Sequence, residues 1–452
     1  MREQRVVLEP FGLSEILQCS GVVCANQHGF MMVKGYMKKE KEGEYLKLLG
    51  SSVWASVMVY DEWGKAGVLF TGVVTDGEIS VENGLKTLKV KIKTGSFLMD
   101  LETHIRTFQS PGCTYDEIFA SFGASYQEYG YIMEAGNRKS INRFLCQYQE
   151  TDWQFAKRLA NLCHTVVYPN YIGSGEKLYF GRPMGTNRGG VTLTEYMIRQ
   201  TKTGVAYEGT LREIYDIGDS VNFNGKNLYV IQRETFYNKG VLYHTYTFGT
   251  EKTEEEVENR HLSGVSLEGT VTGVKGTSVT LTIHKDECSG AGRWFPYATV
   301  YSSPDGSGWY CMPEKGDRVR LYFPSEDADE AYVLNAMHFE NGAGGQRTNP
   351  ENKSIRNKQG KEILLKPDAI LITNNRGMSL ELSDDDGISI ISDKKIVFES
   401  EEAIEITSVS ANIDLVSPQK ISLKQGNTSM VLSDSMIMQG TKVRLKIGRA
   451  HV

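Results

Sequence analysis

A mainly β, multidomain protein is predicted, and three observations carry that expectation. From about residue 362 to the C-terminus the chain repeats two apolar residues flanking a single residue, at steps close to eight. Most of the rest is short runs of alternating apolar and polar residues broken by Gly and Asp turns. The composition, with Gly 46 and Tyr 23 among 452 residues and 40% apolar, leans the same way. The length predicts three or more domains at roughly 100–200 residues each.

Residues 1–108 hold alternating runs at 53–60, 67–70 and 88–93 and predict a small antiparallel barrel. Residues 109–205 read as an α/β insert. There Thr114 precedes Glu117 by three residues as a capping box, and Tyr115, Ile118, Phe119, Phe122 and Tyr126 share one helical face. Thr151 and Gln154 repeat the box, Phe155, Leu159, Leu162, Cys163 and Val166 form the stripe, and Pro169 stops the helix. Residues 206–250 return to strands and predict a second barrel. Its clearest signal is the turn Asn224-Gly225 between alternating runs, a strong hairpin marker.

Residues 251–265 read as a connector. Five short strand candidates, at 269–274, 278–283, 298–301, 318–323 and 331–334, then fit an OB-fold over 266–340. Residues 341–361 read as a flexible linker.

The octads fill 362–452. Leu380 and Leu382, Ile388 and Ile390, Ile396 and Phe398, and Ile404 and Ile406 stand in register, and Ile413 with Leu415, Ile421 with Leu423 and Met430 with Leu432 follow within one residue. Residues i and i+2 of a strand share a face, so each unit is a short strand aiming two apolar side chains inward. Stretches such as Ser383-Asp384-Asp385-Asp386-Gly387 make the corners. Two inward residues per eight is a thin supply of apolar surface against the cost of ordering the backbone, so the repeat needs neighbours above and below. The uniform octad suits an intertwined β-helix of three identical chains, each supplying one wall per level. About eleven units at roughly 4.8 Å per level predict a needle on the order of 50 Å.

Net charge is −6, and within residues 266–339 six Lys or Arg face ten Asp or Glu. That balance repels phosphate, so the aromatics Trp294, Phe295, Tyr297, Trp309 and Tyr310 read as core or interface residues, and no nucleic-acid partner is expected. No run approaches the roughly 18–20 apolar residues of a membrane span, and Met1-Arg2-Glu3-Gln4-Arg5 opens no signal peptide. Synthesis in the cytoplasm is expected. Seven scattered cysteines, with no Cys-x-x-Cys pair, read as free thiols. Cys19, Cys24 and His28 form too small a set for a metal. Asp384, Asp385 and Asp386 lack the alternation of a calcium loop, and the histidines are isolated. No catalytic residue, metal or cofactor is expected, and the chain is not expected to be an enzyme.

The order barrel, insert, barrel, OB-fold and β-helix resembles the spike proteins of contractile injection machines: the VgrG proteins of type VI secretion and the baseplate hub and spike of contractile phage tails. The local match is Gln147, Tyr148, Glu150, Thr151, Asp152, Phe155, Arg158 and Leu159, which looks like that family's Q-Y-x-E-T-D-x-x-F-x-x-R-L. Pro313-Glu314-Lys315-Gly316-Asp317-Arg318-Val319, with the acidic turn 326–329, is similar to its OB-fold hairpin.

The resemblance implies a homotrimer whose two barrels per chain form a pseudo-six-fold platform. That platform would receive an Hcp-like hexameric tail tube and sit among baseplate proteins. The β-helix core residues would be Leu380, Leu382, Ile388, Ile390, Ile396, Phe398, Ile404, Ile406, Ile413, Leu415, Ile421 and Leu423. Some family spikes bind iron through a terminal His-x-His. Here His451 stands without its partner, which implies a separate PAAR-like tip protein instead. The interval 341–361 is too short for a muramidase domain, so puncture of the target envelope would be mechanical. The rival readings are a phage-type tail fibre or adhesin, and a murein-hydrolase spike.

Overall fold

The computed structural model describes residues 4–38, 41–60, 64, 66–136, 139–201, 204–238, 240–250, 258–288, 292–337 and 349–432. The chain divides into two compact units, residues 1–340 and 341–452. Among the described residues no helix is long and apolar enough to cross a membrane.

The first unit begins with strands β1 (Arg5–Glu9), β2 (Glu15–Cys24), β3 (Phe30–Tyr36), β4 (Trp54–Tyr60), β5 (Ala66–Glu82) and β6 (Leu85–Lys93), with helix α1 (Glu42–Leu49) after β3. Alternation decides which face is buried: Met31 and Val33 in β3 and Ala55, Val57 and Val59 in β4 turn into one core while their neighbours stay half-exposed. The insert follows as β7 (Thr103–Phe108), α2 (Tyr115–Phe122), β8 (Gly130–Met133), β9 (Leu145–Thr151), α3 (Asp152–Leu162), β10 (Val167–Pro169) and β11 (Lys177–Phe180). Both helices carry capping boxes, at Thr114 with Glu117 and at Thr151 with Gln154. Then come β12 (Asn187–Gly190), β13 (Tyr196–Thr201), β14 (Gly204–Leu211), β15 (Ser220–Phe223), β16 (Lys226–Asn238) and β17 (Val241–Gly249). Asn224 and Gly225 both take positive φ, 52° and 76°, as the tight β15–β16 hairpin requires.

The strands expected for two separate barrels belong to one hydrogen-bonded sheet, with spine β1-β4-β5-β6-β3-β2-β16-β17-β14-β13. The link is β16, whose thirteen residues outrun its hairpin. Its first half pairs with β15, and from Gln232 to Asn238 it pairs with β2 instead.

The OB-fold follows in the order β20-β19-β18-β21-β22, built from β18 (Ser266–Lys275), β19 (Ser278–Ile283), β20 (Phe295–Pro296), β21 (Arg318–Tyr322) and β22 (Tyr332–Ala336). One expectation is corrected here. The third strand is Phe295–Pro296 rather than 298–301, because Pro296 has no N–H for a ladder and the chain leaves the sheet into a turn at Pro304-Asp305-Gly306 that leaves Val300 94% exposed. The described end of the connector, 258–265, is docked rather than free. Asn259 and Leu262 are buried, and Asn259 Nδ2 donates to the Tyr148 carbonyl at 2.8 Å.

In the second unit β23 (Lys353–Arg356), β24 (Glu362–Leu365), β25 (Ala369–Thr373), β26 (Met378–Ser383) and β27 (Gly387–Ser392) form an antiparallel meander. β23 lies in the segment expected to be linker. Residues 393–420 carry no assigned strand, and β28 (Ile421–Gln425) pairs with β29 (Thr428–Leu432) as a hairpin. Residues 433–452, with His451, lie outside the described residues, as do residues 341–348 of the expected linker.

Inside the large sheet, buried Arg233 donates from Nη2 to the Leu69 carbonyl at 2.8 Å, and its Nη1 lies 3.3 Å from the Asp216 carboxylate. Fully buried His244 meets Thr235 Oγ1 at 2.9 Å through Nδ1. Burial, and then the Arg233 charge, push the His244 pKa down to about 3. The folded state therefore holds His244 neutral, whereas the unfolded chain takes up a proton below about pH 6.5. Stability from this site is complete above that pH and is lost as pH falls toward 3. Urea unfolding at several pH values should show His244→Gln losing less stability than wild type on acidification, by about 3 kcal/mol at pH 4.

Candidate functional site: a buried joint and an uncovered apolar face

The Gln147–Leu159 motif lies where the insert meets the OB-fold, and its strand faces two cores. Leu145 packs with the insert helices, while Phe144 and Cys146 are buried in the OB-fold core with Leu267, Val279, Leu321 and Val333. The Phe144 ring centroid lies 5.2 Å from Phe295 and 6.1 Å from Phe323. At Gln149 φ is 50° and the β7–β9 register shifts, so a bulge ends the alternation just before the helix cap.

Below the bulge the polar motif residues turn inward and satisfy one another. Gln147, fully buried, accepts from Arg106 Nη1 at 3.1 Å and donates from Nε2 to Asp152 at 2.9 Å and to the Glu150 carbonyl at 3.1 Å. Asp152 also accepts from Arg106, and from the Tyr126 hydroxyl at 2.8 Å. Arg158 grips Glu150 in a bidentate pair, Nε at 2.9 Å and Nη2 at 2.6 Å, and Nη2 also reaches the Cys146 carbonyl at 2.8 Å. Thr151 caps α3 and hydrogen-bonds Asp100. Phe155 and Leu159 are fully buried in the insert core, and Tyr148 is half-buried against the OB-fold.

Carboxylates of the OB-fold complete the joint. Asp286 accepts from the Thr107 amide at 3.0 Å, and Glu287 lies 3.0 Å from both Arg106 Nε and His104 Nδ1. Asp329 accepts from the Phe144 amide at 2.8 Å and from Arg293 at 2.7 Å, while Asp327 pairs with Arg143 at 2.6 Å. The hydrophobic spacing of the motif reveals its helix. Its role as a joint depends on Phe144, Asp286 and Asp329, far apart in sequence and carrying no local signal.

In the second unit the register decides which side chains share a face. Ile363 pairs with Ile372, Leu365 with Ile370, Ile370 with Leu382, Ile372 with Leu380, Leu380 with Ile390 and Leu382 with Ile388. Ile355, paired with Ile363, joins the same face. The result is an unbroken aliphatic sheet face. Within the described chain it is uncovered, with Ile388 72% and Ile390 53% exposed. The octads beyond continue it in sequence: Ile396, Phe398, Ile404, Ile406, Ile413, Leu415 and Leu423 are all exposed, and Ile421 is half-exposed.

Of the other residues weighed from the sequence, Cys19 Sγ rests on Met31 Sδ at 3.3 Å, and His28 turns to Ser96 and Asp100. All seven cysteines are free, with Cys311 exposed. Among the described residues no group of three or more His, Cys, Asp or Glu side chains is placed to hold a metal ion.

Breaking one half of a buried ion pair strands the other. Arg158→Ala should therefore lower unfolding stability by about 3–5 kcal/mol in chemical denaturation, and Glu150→Leu with Arg158→Met should cost clearly less than the single change.

Comparison with known proteins adds three findings. Residues 268–338 match the family model described as the type VI secretion system/phage-baseplate injector OB domain. No curated protein matches the chain. Among solved structures, a chain of the lidded Francisella PdpA-VgrG complex aligns at TM-score 0.54 and 10% identity, covering 87% of this chain and 80% of that one. The lidless complex gives 0.53 and 11%, covering 86% and 98%. An E. coli component of the type VI secretion system, described as structurally similar to the T4 bacteriophage tail proteins gp27 and gp5, aligns at 0.49 and 11%, covering 73% and 99%. At these identities the fold alone is shared. The chain is a mainly β multidomain protein that carries a type VI secretion system/phage-baseplate injector OB domain within a fold similar to that of the VgrG complexes.

Proposed function

We propose that this chain is the hub and spike subunit of a contractile injection machine. It works as a homotrimer that seats a hexameric Hcp-like tube on its N-terminal sheet region, held among baseplate proteins. The octads are the shared needle, which punctures the target envelope mechanically and carries a PAAR-like tip protein. The work is mechanical rather than enzymatic.

The observation that carries this reading is the aliphatic face of the β23–β27 meander. A monomer leaving that face and the following octads in water would be an aggregation hazard. Extending the same register would set Ile390 opposite Ile396 and Ile388 opposite Phe398. No strand is assigned there among the described residues, although the apolar period continues through Leu415. Other copies of the same repeat are the natural suppliers of both the missing pairing and the missing cover, and three walls close a prism without free edges. An injector OB domain preceding the octads in sequence favours a spike over a tail fibre.

Ile388→Asp would place three carboxylates near one axial level of an apolar core. It should prevent trimer formation in light scattering and lower the thermal midpoint, whereas the wild-type chain scatters with three times its monomer mass. A trimeric mutant of unchanged thermal stability would contradict interweaving.

A further inference from the structure

Beside the joint between the insert and the OB-fold lies an open cavity of about 460 Å³, walled by Phe108, Gln109, Ser121 and Ala124 and by two cysteines, Cys113 and Cys288. One thiol comes from each side of the joint. Cys113 stands just before α2, where its amide donates to the Ser110 carbonyl at 3.1 Å and its carbonyl accepts from the Ile141 amide at 2.9 Å. Cys288 ends a segment that runs along β7. There Asp286 accepts from the Thr107 amide, the Glu287 amide donates to the Ile105 carbonyl at 3.0 Å, and the Cys288 amide donates to Asp286 at 3.0 Å. Both backbones are thus held, and both side chains are half-buried against the insert core.

Helix α2 sets the spacing of the two thiols. Cys113 Sγ meets the Glu117 carboxylate and Cys288 Sγ meets the Ser121 hydroxyl, and Glu117 and Ser121 stand on successive turns of that helix. Side chains four apart on a helix are about 5–6 Å apart. Burial first, then Glu117 and the neighbouring Cys288, push the Cys113 thiol up to about 11, and burial raises Cys288 as well. At neutral pH both are protonated, which slows their chemistry without blocking it.

We propose that Cys113 and Cys288 are a redox pair, which hydrogen peroxide converts into a disulfide that staples the insert to the OB-fold. The thiolate of one cysteine attacks a peroxide oxygen, the O–O bond breaks, and a sulfenic acid forms as the first water leaves. The second thiol attacks that sulfur, so that the S–S bond forms, the S–O bond breaks and a second water leaves. Two thiols give up two protons and two electrons, and one peroxide becomes two waters. The cavity leaves both side chains room to turn about χ1 toward each other, as a disulfide with its Cβ atoms about 3.5–4.5 Å apart requires. Cys19 and Cys146, by contrast, are buried. Both thiols belong to the first unit, so the bond does not depend on trimer formation by the octads.

The test treats the full chain with hydrogen peroxide, then unfolds, alkylates and digests it for mass spectrometry with and without dithiothreitol. A peptide linking Cys113 to Cys288 should appear and vanish on reduction. Its rate of formation should rise about tenfold per pH unit from neutral pH upward, as the thiolate fraction does below a raised pKa. The oxidised chain should unfold at a higher temperature than the reduced one. Cys113→Ser and Cys288→Ser should each abolish the cross-link and the thermal shift, and dimedone should trap a sulfenic acid on the remaining cysteine in at least one of them. Recovery of Cys113 and Cys288 as separate alkylated peptides from the oxidised wild-type chain would overturn the pairing. A bond from either one to a different cysteine would do the same, as would a Cys113–Cys288 bond found only in cross-linked multimers on a non-reducing gel.

Discussion

Sheet register in the second unit gathers the aliphatic side chains of the meander onto one face. With Ile363 opposite Ile372, Leu380 opposite Ile390 and Leu382 opposite Ile388, each step of the meander adds aliphatic side chains to the same face. A shift of one residue would send them to the other side, so the period and the short turns between strands hold the register. An exposed, uniformly aliphatic face of this kind marks an interaction surface. Backbone pairing makes the same demand, because N–H and C=O groups buried in a core need partners.

The first unit meets the opposite requirement, which is to hold its own parts together. Its large sheet is continuous through the β2–β16 pairing, and the insert is tied to the OB-fold by apolar and ionic contacts at once. Phe144 and Cys146 reach into the OB core, while Asp286, Glu287 and Asp329 reach back to Thr107, Arg106 and the Phe144 amide. Buried charge of this kind adds little net stability, but it punishes misalignment heavily. A joint of that character suits a part that must pass on load without changing shape, which agrees with the proposed mechanical role.

Local chemistry made much of this legible. The octads, the Asn224-Gly225 hairpin and the capping boxes at Thr114 and Thr151 are all set by residues within a few positions of one another. Sheet-level partnership was not legible. Nothing near β16 announces that it leaves β15 for β2, so two barrels were expected where one sheet runs. Alternation showed that β9 has two faces, but not that one belongs to the OB-fold. The OB-fold's third strand was misplaced because 298–301 alternates well while Pro296 and the turn at Pro304 take it out of the sheet. Strand period likewise tells which octad residues share a face, and is silent on what covers that face.

Amide hydrogen exchange over residues 393–420 of the intact chain distinguishes a needle shared between copies from unpaired octads. If these octads pair across copies, their amides should exchange slowly, as those of a closed sheet do, and lose that protection together when the particle dissociates. Exchange at the rate of open chain, in a preparation whose first unit is fully protected, would contradict a needle shared between chains.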